Sequence, residues 1–357
     1  MKKLFKNPIL FILVLFLASG LGISSCSKDD DTPPPVVIDK AALVTAIAAA
    51  NTLLSETVEG NNDGEYPTAA RTALQTAITA ASGVNTSTSV TQEQVNNAIV
   101  SLGQAVDAYE AAVIAPIAEE DLIGHWTFNE GTGTVAADNS ANEFNGNFVT
   151  GHEGWGAGVP MWSADRHGEE GKAIHFDEGA NIEIPYNTKL NPSQMTVSLW
   201  VKTDGINANN RFLGLHSWEG YKFQLQEANK PFFTINTSEG IYDRDAEVNG
   251  LPVDEWHHIA VTFGGGNMTF YIDGTEVKKW ENTPGDAKSI SGNPYNVVFG
   301  QDFPTDKYAA NGDNFDNDKI IPLDWGGYFR GSMDEIRMYK TVLTASQIQS
   351  IYDREKP

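Results

Sequence analysis

The chain has 357 residues, room for two or three domains, and carries 47 acidic against 24 basic side chains for a formal net charge of −23. So acidic a surface repels phosphate backbones and anionic lipid headgroups, which excludes nucleic acid as a partner and leaves neutral sugars and divalent cations as the compatible ligands. A single cysteine, Cys26, excludes an internal disulfide and needs another role.

Met1 to Lys6 is basic, Ile9 to Leu17 is apolar, and small residues lead to Ile23-Ser24-Ser25-Cys26. That order predicts a secretory signal over residues 1–25. The apolar run is shorter than the roughly 20 residues of a membrane-spanning helix, so cleavage is the expectation and an uncleaved anchor helix the alternative. Ile-Ser-Ser-Cys in this position resembles the bacterial lipobox, which implies lipidation of Cys26 and a membrane anchor through its acyl chains. Ser27-Lys28-Asp29-Asp30-Asp31 resembles the tag that routes Gram-negative lipoproteins to the outer face of the outer membrane; the other reading is a solvated linker. Residues 26–36 form an acidic, proline-rich linker, stiffened by Pro33-Pro34-Pro35.

Residues 37–115 turn Ala-, Thr- and Val-rich. Leu43, Ile47, Ala50 and Leu54 recur at helical spacing, as do Leu74 and Ile78 after Pro67. A third helix opens on the capping box Thr91/Gln94 and carries an apolar seam through Val95, Ile99, Leu102, Val106, Tyr109 and Val113. Three antiparallel helices follow, connected through Gly60 to Gly64 and Gly83 to Ser89. The segment resembles the FIVAR-type three-helix module of bacterial surface proteins, and packing alone accounts for its regularities, so it reads as a stalk.

From residue 119 to 355 the texture is short alternating strands, glycines and tryptophans. His125 to Phe128, Ala173 to Phe176, Asn181 to Ile184, Thr196 to Lys202, His258 to Phe263, Met268 to Ile272 and Glu276 to Trp280 read as half-buried strands. Asp273-Gly274 makes a type I′ turn. These spacings predict a mainly β chain: an antiparallel two-sheet sandwich preceded by a small all-α three-helix bundle. Trp126-Thr-Phe-Asn-Glu-Gly131, Gly171-Lys-Ala-Ile-His-Phe-Asp177, Thr196-Val-Ser-Leu-Trp-Val201, Trp256-His-His-Ile-Ala-Val-Thr262, Tyr271-Ile-Asp-Gly274 and Gly331 to Tyr339 occur in the order of laminin-G-like, concanavalin A-like jelly rolls, and the resemblance extends to a closing helix capped by Thr344/Gln347. It implies carbohydrate binding most often, with protein adhesion as the alternative. Glu178 stands where family members usually carry glycine.

The enzymes that share this sandwich need a Glu-x-Asp-x-x-Glu strand with carboxylates about 5 Å apart. No such run occurs. Asp334-Glu335 are adjacent, so a regular strand points them to opposite faces; Asp243-Arg244-Asp245 lacks glutamate partners; and His257-His258 fall within a strand as structural residues. No metalloprotease, nucleophile-elbow or phosphate-loop motif appears. The chain is therefore expected to be no enzyme; a glycoside hydrolase with an unrecognised carboxylate pair is the least favoured reading. Asp138-Asn139-Ser140-Ala141-Asn142-Glu143-Phe144-Asn145 resembles the calcium-side loop of related jelly rolls, so Asp138, Asn145, Asp177 and Asp334 are candidate ligands for a structural Ca2+, turn formation being the alternative.

Sugar recognition needs an aromatic plane for the C–H face of the ring and polar groups for its hydroxyls. Of the eight tryptophans, Trp126, Trp162, Trp200 and Trp256 fall at or near motif positions, and Trp280 ends a hairpin strand; packing explains them. Trp155, Trp218 and Trp325 lie in glycine-flanked loops, where they either bind or fold over a sandwich edge. The predicted site is a platform of Trp218 and Trp325, with Trp155 as a further candidate and His216, Glu219, Asp324 and Tyr328 as polar contacts. The whole reads as a surface lipoprotein that captures polysaccharide or oligosaccharide beside an outer-membrane transporter, or as an adhesin for a host or neighbouring-cell protein.

Overall fold

The computed structural model describes residues 37–207, 209–309 and 321–357. The signal, Cys26 and the proline-rich linker lie outside the described residues. Three helices come first: α1 (Ala41–Glu56), α2 (Thr68–Thr86) and α3 (Gln92–Ala111). Leu43, Ala50 and Leu54 of α1, Leu74, Ile78 and Ala81 of α2, and Val95, Leu102 and Tyr109 of α3 form the bundle core. Ile47, Ile99 and Val106 lie half-buried at the edge of that seam. The Thr91/Gln94 capping box is present. Arg71 closes α1, donating to Leu54 O at 2.9 Å and Thr57 O at 3.0 Å, carbonyls the helix end leaves without partners. The α2–α3 connection is shorter than the glycine suggested: α2 continues through Gly83 to Thr86, where Thr86 Oγ1 donates to Ser82 O.

The remainder is a sandwich of two eight-stranded antiparallel sheets. The first runs Thr275–Trp280, Asn267–Ile272, His257–Gly264, Met195–Thr203, Gly331–Tyr339, Ala173–Phe176, Met161–Ser163, with Leu122–Trp126 also paired to Gly331–Tyr339. The second runs Gly240–Asp245, Lys230–Thr237, Tyr221–Gln226, Asn210–Leu215, Val297–Phe299, Asn181–Ile184, Gly146–Val149, Val135–Ala136. Period-two alternation decides which side chains enter the core. Val197, Leu199 and Val201 of the first sheet meet Phe212, Phe223 and Phe233 of the second, and Trp126 packs edge-on against Phe299 with ring centroids 4.9 Å apart. Asp273 and Gly274 both take positive φ, 49° and 74°, as the I′ turn requires.

The other face of the first sheet is covered by the closing helix α4 (Ala345–Glu355), which starts at the Thr344/Gln347 capping box. Ile348 and Ile351 pack on Ala260, Tyr271 and Tyr339. Trp200 Nε1 donates to Glu355 Oε2 at 2.9 Å, and Tyr352 stacks on the Trp200 ring. Arg337 pairs with both Glu355 and Glu335, and Arg166 with Asp334. The expectation that Asp334 and Glu335 face opposite sides fails here: a bulge between Asp334 and Arg337, with Glu335 at φ 53°, breaks the alternation, and the Arg166 charge acts on both carboxylates. The same helix meets the three-helix region, with Gln347 Nε2 donating to Ala115 O at 2.9 Å and Ser350 Oγ to Asn61 O.

His257 and His258 part company as adjacent strand residues should. His257 Nδ1 lies 2.9 Å from Asp273, whereas His258 is fully buried with Nε2 2.7 Å from Ser198 Oγ. Burial first, then the Arg337 charge, pushes the His258 pKa down to about 3. As pH falls below about 6.5 the unfolded chain protonates this histidine and the folded chain does not, so stability drops by about 2 kcal/mol at pH 5. His257 acts the other way: its bond to Asp273 raises its pKa, a contribution present in acid and lost as pH rises. Urea unfolding of wild type and His258→Gln at pH 7 and pH 5 isolates the first effect; the variant should lose distinctly less stability on acidification.

Candidate functional site

Among the described residues, no α-helix covers the outer face of the second sheet. The strand Tyr221–Gln226 turns Tyr221, Phe223 and Leu225 inward, which places Lys222 and Gln224 outward. Arg211 pairs in register with Gln224, and Thr234 with Lys222, so these four form a polar patch. A polar sheet face is ordinarily wet, yet Lys222 is 3%, Gln224 4% and Arg211 5% exposed. Two segments cover them.

One is the single helical turn Ser217–Glu219 between strands. His216 and Ser217 adopt left-handed backbone, φ 54° and 40°, a strained conformation that folds Trp218 back over the sheet. Gly220 is required beside it, since a Cβ there would sit 2.3 Å from Leu215 O. The Lys222 ammonium lies 3.6 Å from the Trp218 ring centroid and the Arg211 guanidinium 5.4 Å, both in cation–π contact. Trp218 remains 36% exposed.

The other is the stretch through Tyr295, Phe303 and Tyr308. Asp302, fully buried, accepts from Arg211 Nη1 at 2.5 Å and from the Tyr308 hydroxyl at 2.6 Å. Burial and the Asp302 charge raise the Tyr308 pKa, so the phenol stays a donor. Residues 324–328 return to the same patch: a Cβ on Gly327 would lie 3.1 Å from Arg211 Cδ. Trp325 is 58% exposed and Asp324 is exposed, while Tyr328 is half-buried.

Arg211 thus touches both the Trp218 ring and the segment around Gly327. Trp155 is placed differently. Its ring packs against Tyr308 and Tyr328, with centroids 4.5 and 5.3 Å apart, and fills space left by Gly179 and Gly326, so packing accounts for it. His216 stacks on Tyr295 with ring centroids 3.9 Å apart and braces the turn; burial lowers its pKa. Glu219 is exposed and pairs with Lys288 at 3.7 Å. The candidate metal residues are not assembled. All four hydrogen-bonding positions of the Asp138 carboxylate are taken, by His125 N, Ser140 N, Ser140 Oγ and Phe144 N, and Asn145 Oδ1 accepts from Asp138 N. Asp177 pairs with Arg330 and Asp334 with Arg166. Among the described residues no group of three or more His, Cys, Asp or Glu side chains could hold a metal ion. The expected convergence fails because each residue is engaged by a local donor or cation.

Sequence reasoning missed Arg211, Lys222, Gln224 and Asp302. Three polar groups of this patch are left without conventional partners: Arg211 Nε and Gln224 Oε1 are buried with no hydrogen bond, and Lys222 forms no ion pair among the described residues. Burial, then the neighbouring Arg211 charge, lowers the Lys222 pKa to about 8.

The sandwich is an antiparallel two-sheet jelly roll. Residues 176–349 match the family Laminin_G_3, described as the concanavalin A-like lectin/glucanases superfamily; the strands from Leu122 to Ser163 belong to the same sheets but precede that match. Domain 4 of an extracellular GH43 arabinanase from Geobacillus stearothermophilus, solved in complex with arabinotriose, is similar at 21% identity and a TM-score of 0.47 over 65% of this chain and 98% of that one. The binding domain of Paraclostridial Mosquitocidal Protein 1 is similar at 16% identity and a TM-score of 0.46, over 66% of this chain and 52% of that chain. Over 75 residues the chain is 44% identical to a gellan lyase from a Bacillus species, a match that spans 21% of this chain and 3% of that protein.

Proposed function

We propose that the protein is a non-catalytic carbohydrate-binding protein, held at a bacterial outer-membrane surface by a lipid on Cys26, with the three-helix region as its spacer. The observation that carries the reading is the presentation of Trp218. A strained turn sets an indole over a polar sheet face in cation–π contact with Lys222 and Arg211, and over a third of it is exposed; Trp325 is more exposed still. Exposed aromatic planes beside convergent polar groups are what a sugar ring requires. The family description, lectins and glucanases, supports the same ligand class. Binding without cleavage is favoured because the adjacent acids Asp334 and Glu335 are committed to Arg166, Arg337 and His125 beneath α4, away from this face. The role that follows is capture of polysaccharide beside a transporter and separate hydrolases.

The test is a glycan array followed by affinity electrophoresis on the best polysaccharide. Trp218→Ala is expected to weaken binding about 10- to 100-fold and Trp325→Ala about 3- to 10-fold, at 1.4 kcal/mol per tenfold change. Unchanged affinity in both variants overturns the site, and release of reducing sugar from the polymer overturns the non-catalytic reading.

A further inference from the structure

We propose that the patch of Arg211, Lys222 and Gln224 beneath Trp218 binds the carboxylate of an acidic sugar, which makes the ligand a uronate-bearing polysaccharide. This rests on the carbohydrate-binding reading and names the ligand class within it.

The inference starts from charge in the wrong place. The chain has 24 basic residues against 47 acidic ones. Even so, two cations stand side by side on one sheet face, both nearly excluded from water. Asp302 bonds to Arg211 and neutralises one positive charge. Lys222 forms no ion pair among the described residues; burial and the Arg211 charge act against its proton, and the more weakly acting Asp302 and Asp243 carboxylates only partly offset them. A buried ammonium without a directly bonded anion is costly and survives where something else is gained. For folding alone, an apolar residue at 222 would serve better under an indole.

The unused hydrogen-bonding capacity has the matching chemistry. Arg211 Nε is a buried donor without an acceptor, and Lys222 supplies donors next to it. Together they suit the two oxygens of a carboxylate. Gln224 Oε1, a buried acceptor without a donor, suits a hydroxyl on the same sugar. A neutral sugar could satisfy the Gln224 oxygen but could not offset the charge. The overall negative charge does not prevent this, because interactions between exposed charges are screened beyond about 8–10 Å at physiological salt while contact pairs are not. The Trp218 ring lies against both cations, so a carboxylate binding to them changes the surroundings of the indole, and Trp218 fluorescence should change on binding.

The experiment measures affinity of the purified protein, with chelator present, for polygalacturonate, alginate and hyaluronate and for the carboxyl-reduced form of each. At least one acidic polymer should bind, and carboxyl reduction should weaken it about tenfold or more. Lys222→Met should lose that preference. In wild type the affinity should fall as pH rises from 7 to 9, because Lys222 with a pKa of about 8 gives up its proton; Lys222→Arg should hold its affinity at pH 9. If the protein binds neutral glycans through Trp218 but none of the acidic polymers, or binds reduced and native polymers equally, the acidic-sugar assignment is wrong and the carbohydrate reading stands. If it binds nothing on the array or in this panel, both fall.

Discussion

Asp138→Ala should destabilise the sandwich by about 3–5 kcal/mol. The Asp138 carboxylate is buried and accepts four hydrogen bonds at 2.8 Å each, three from backbone amides and one from Ser140 Oγ. Truncation leaves three backbone N–H groups without acceptors, each worth roughly 1–3 kcal/mol when water cannot replace the partner. Partial hydration of a loop keeps the sum toward the low end. The damage spreads because the loop also secures the first strand of the sandwich: Trp126 Nε1 donates to Phe144 O, and Trp126 bridges to Asp138. Urea denaturation of wild type, Asp138→Asn and Asp138→Ala measures this, with Asn intermediate because one oxygen survives. A loss below about 1 kcal/mol in the alanine variant would show that water fills the loop at little cost. Calcium bears on the same residue. With every acceptor position occupied, added calcium or chelator should leave Tm within about 1 °C; a clear calcium-dependent rise would mean that the loop rearranges to take an ion.

Asp138 also shows how far sequence reading reaches. The Asp/Asn loop was legible as a feature, but its two readings, ion site and turn, differ only in what surrounds the carboxylate, and that is set by the strand starting at Leu122. Local rules sufficed where structure is local. The Thr91/Gln94 and Thr344/Gln347 capping boxes and the Asp273-Gly274 turn appear in the structure as the sequence predicts, and Val197, Leu199 and Val201 alternate into the core, though that strand is buried on both faces rather than half-buried. They failed where tertiary packing decides. The glycines around Trp155 suggested an exposed loop tip, yet Gly179 and Gly326 are small because the Trp155 ring lies against them, 2.8 and 3.1 Å from where a Cβ would stand. No glycine or asparagine announced the left-handed backbone at His216 and Ser217, nor the positive φ at Glu335 that puts two adjacent carboxylates into one ion network. The exposed half of the site, Trp218 and Trp325, was readable because loop tryptophans are unusual. Its buried half was not. Tyr221-Lys222-Phe223-Gln224-Leu225 reads as a strand with an ordinary wet face, and only the segments folding across it, from residues 217–219 and 295–309, make Lys222 and Gln224 buried.

Asp302→Ala is expected to cost about 3–5 kcal/mol and to disable the candidate site at the same time. The carboxylate joins the sheet, through Arg211, to the covering segment, through Tyr308. Removing one member of a buried ion pair leaves the other charged and unsolvated, which is worse than never having had the pair. Here the stranded group is Arg211, beside Lys222, so the variant would bury two adjacent cations with only the exposed Asp243 carboxylate acting against their charge. The Tyr308 hydroxyl, held between Phe303 and Trp155, would lose its acceptor as well. The outcome separates two accounts of the patch. If Asp302 serves only to attach the covering segment, Arg211→Met/Asp302→Leu, which removes both charges and keeps the volume apolar, should recover most of the stability and all of the polysaccharide affinity. If the cations read a carboxylate, the double variant should recover stability, measured by urea denaturation, while affinity for the acidic polymer stays about tenfold or more below wild type. The second pattern is the expected one, because the double variant removes the Arg211 Nε donor that shares the carboxylate with Lys222.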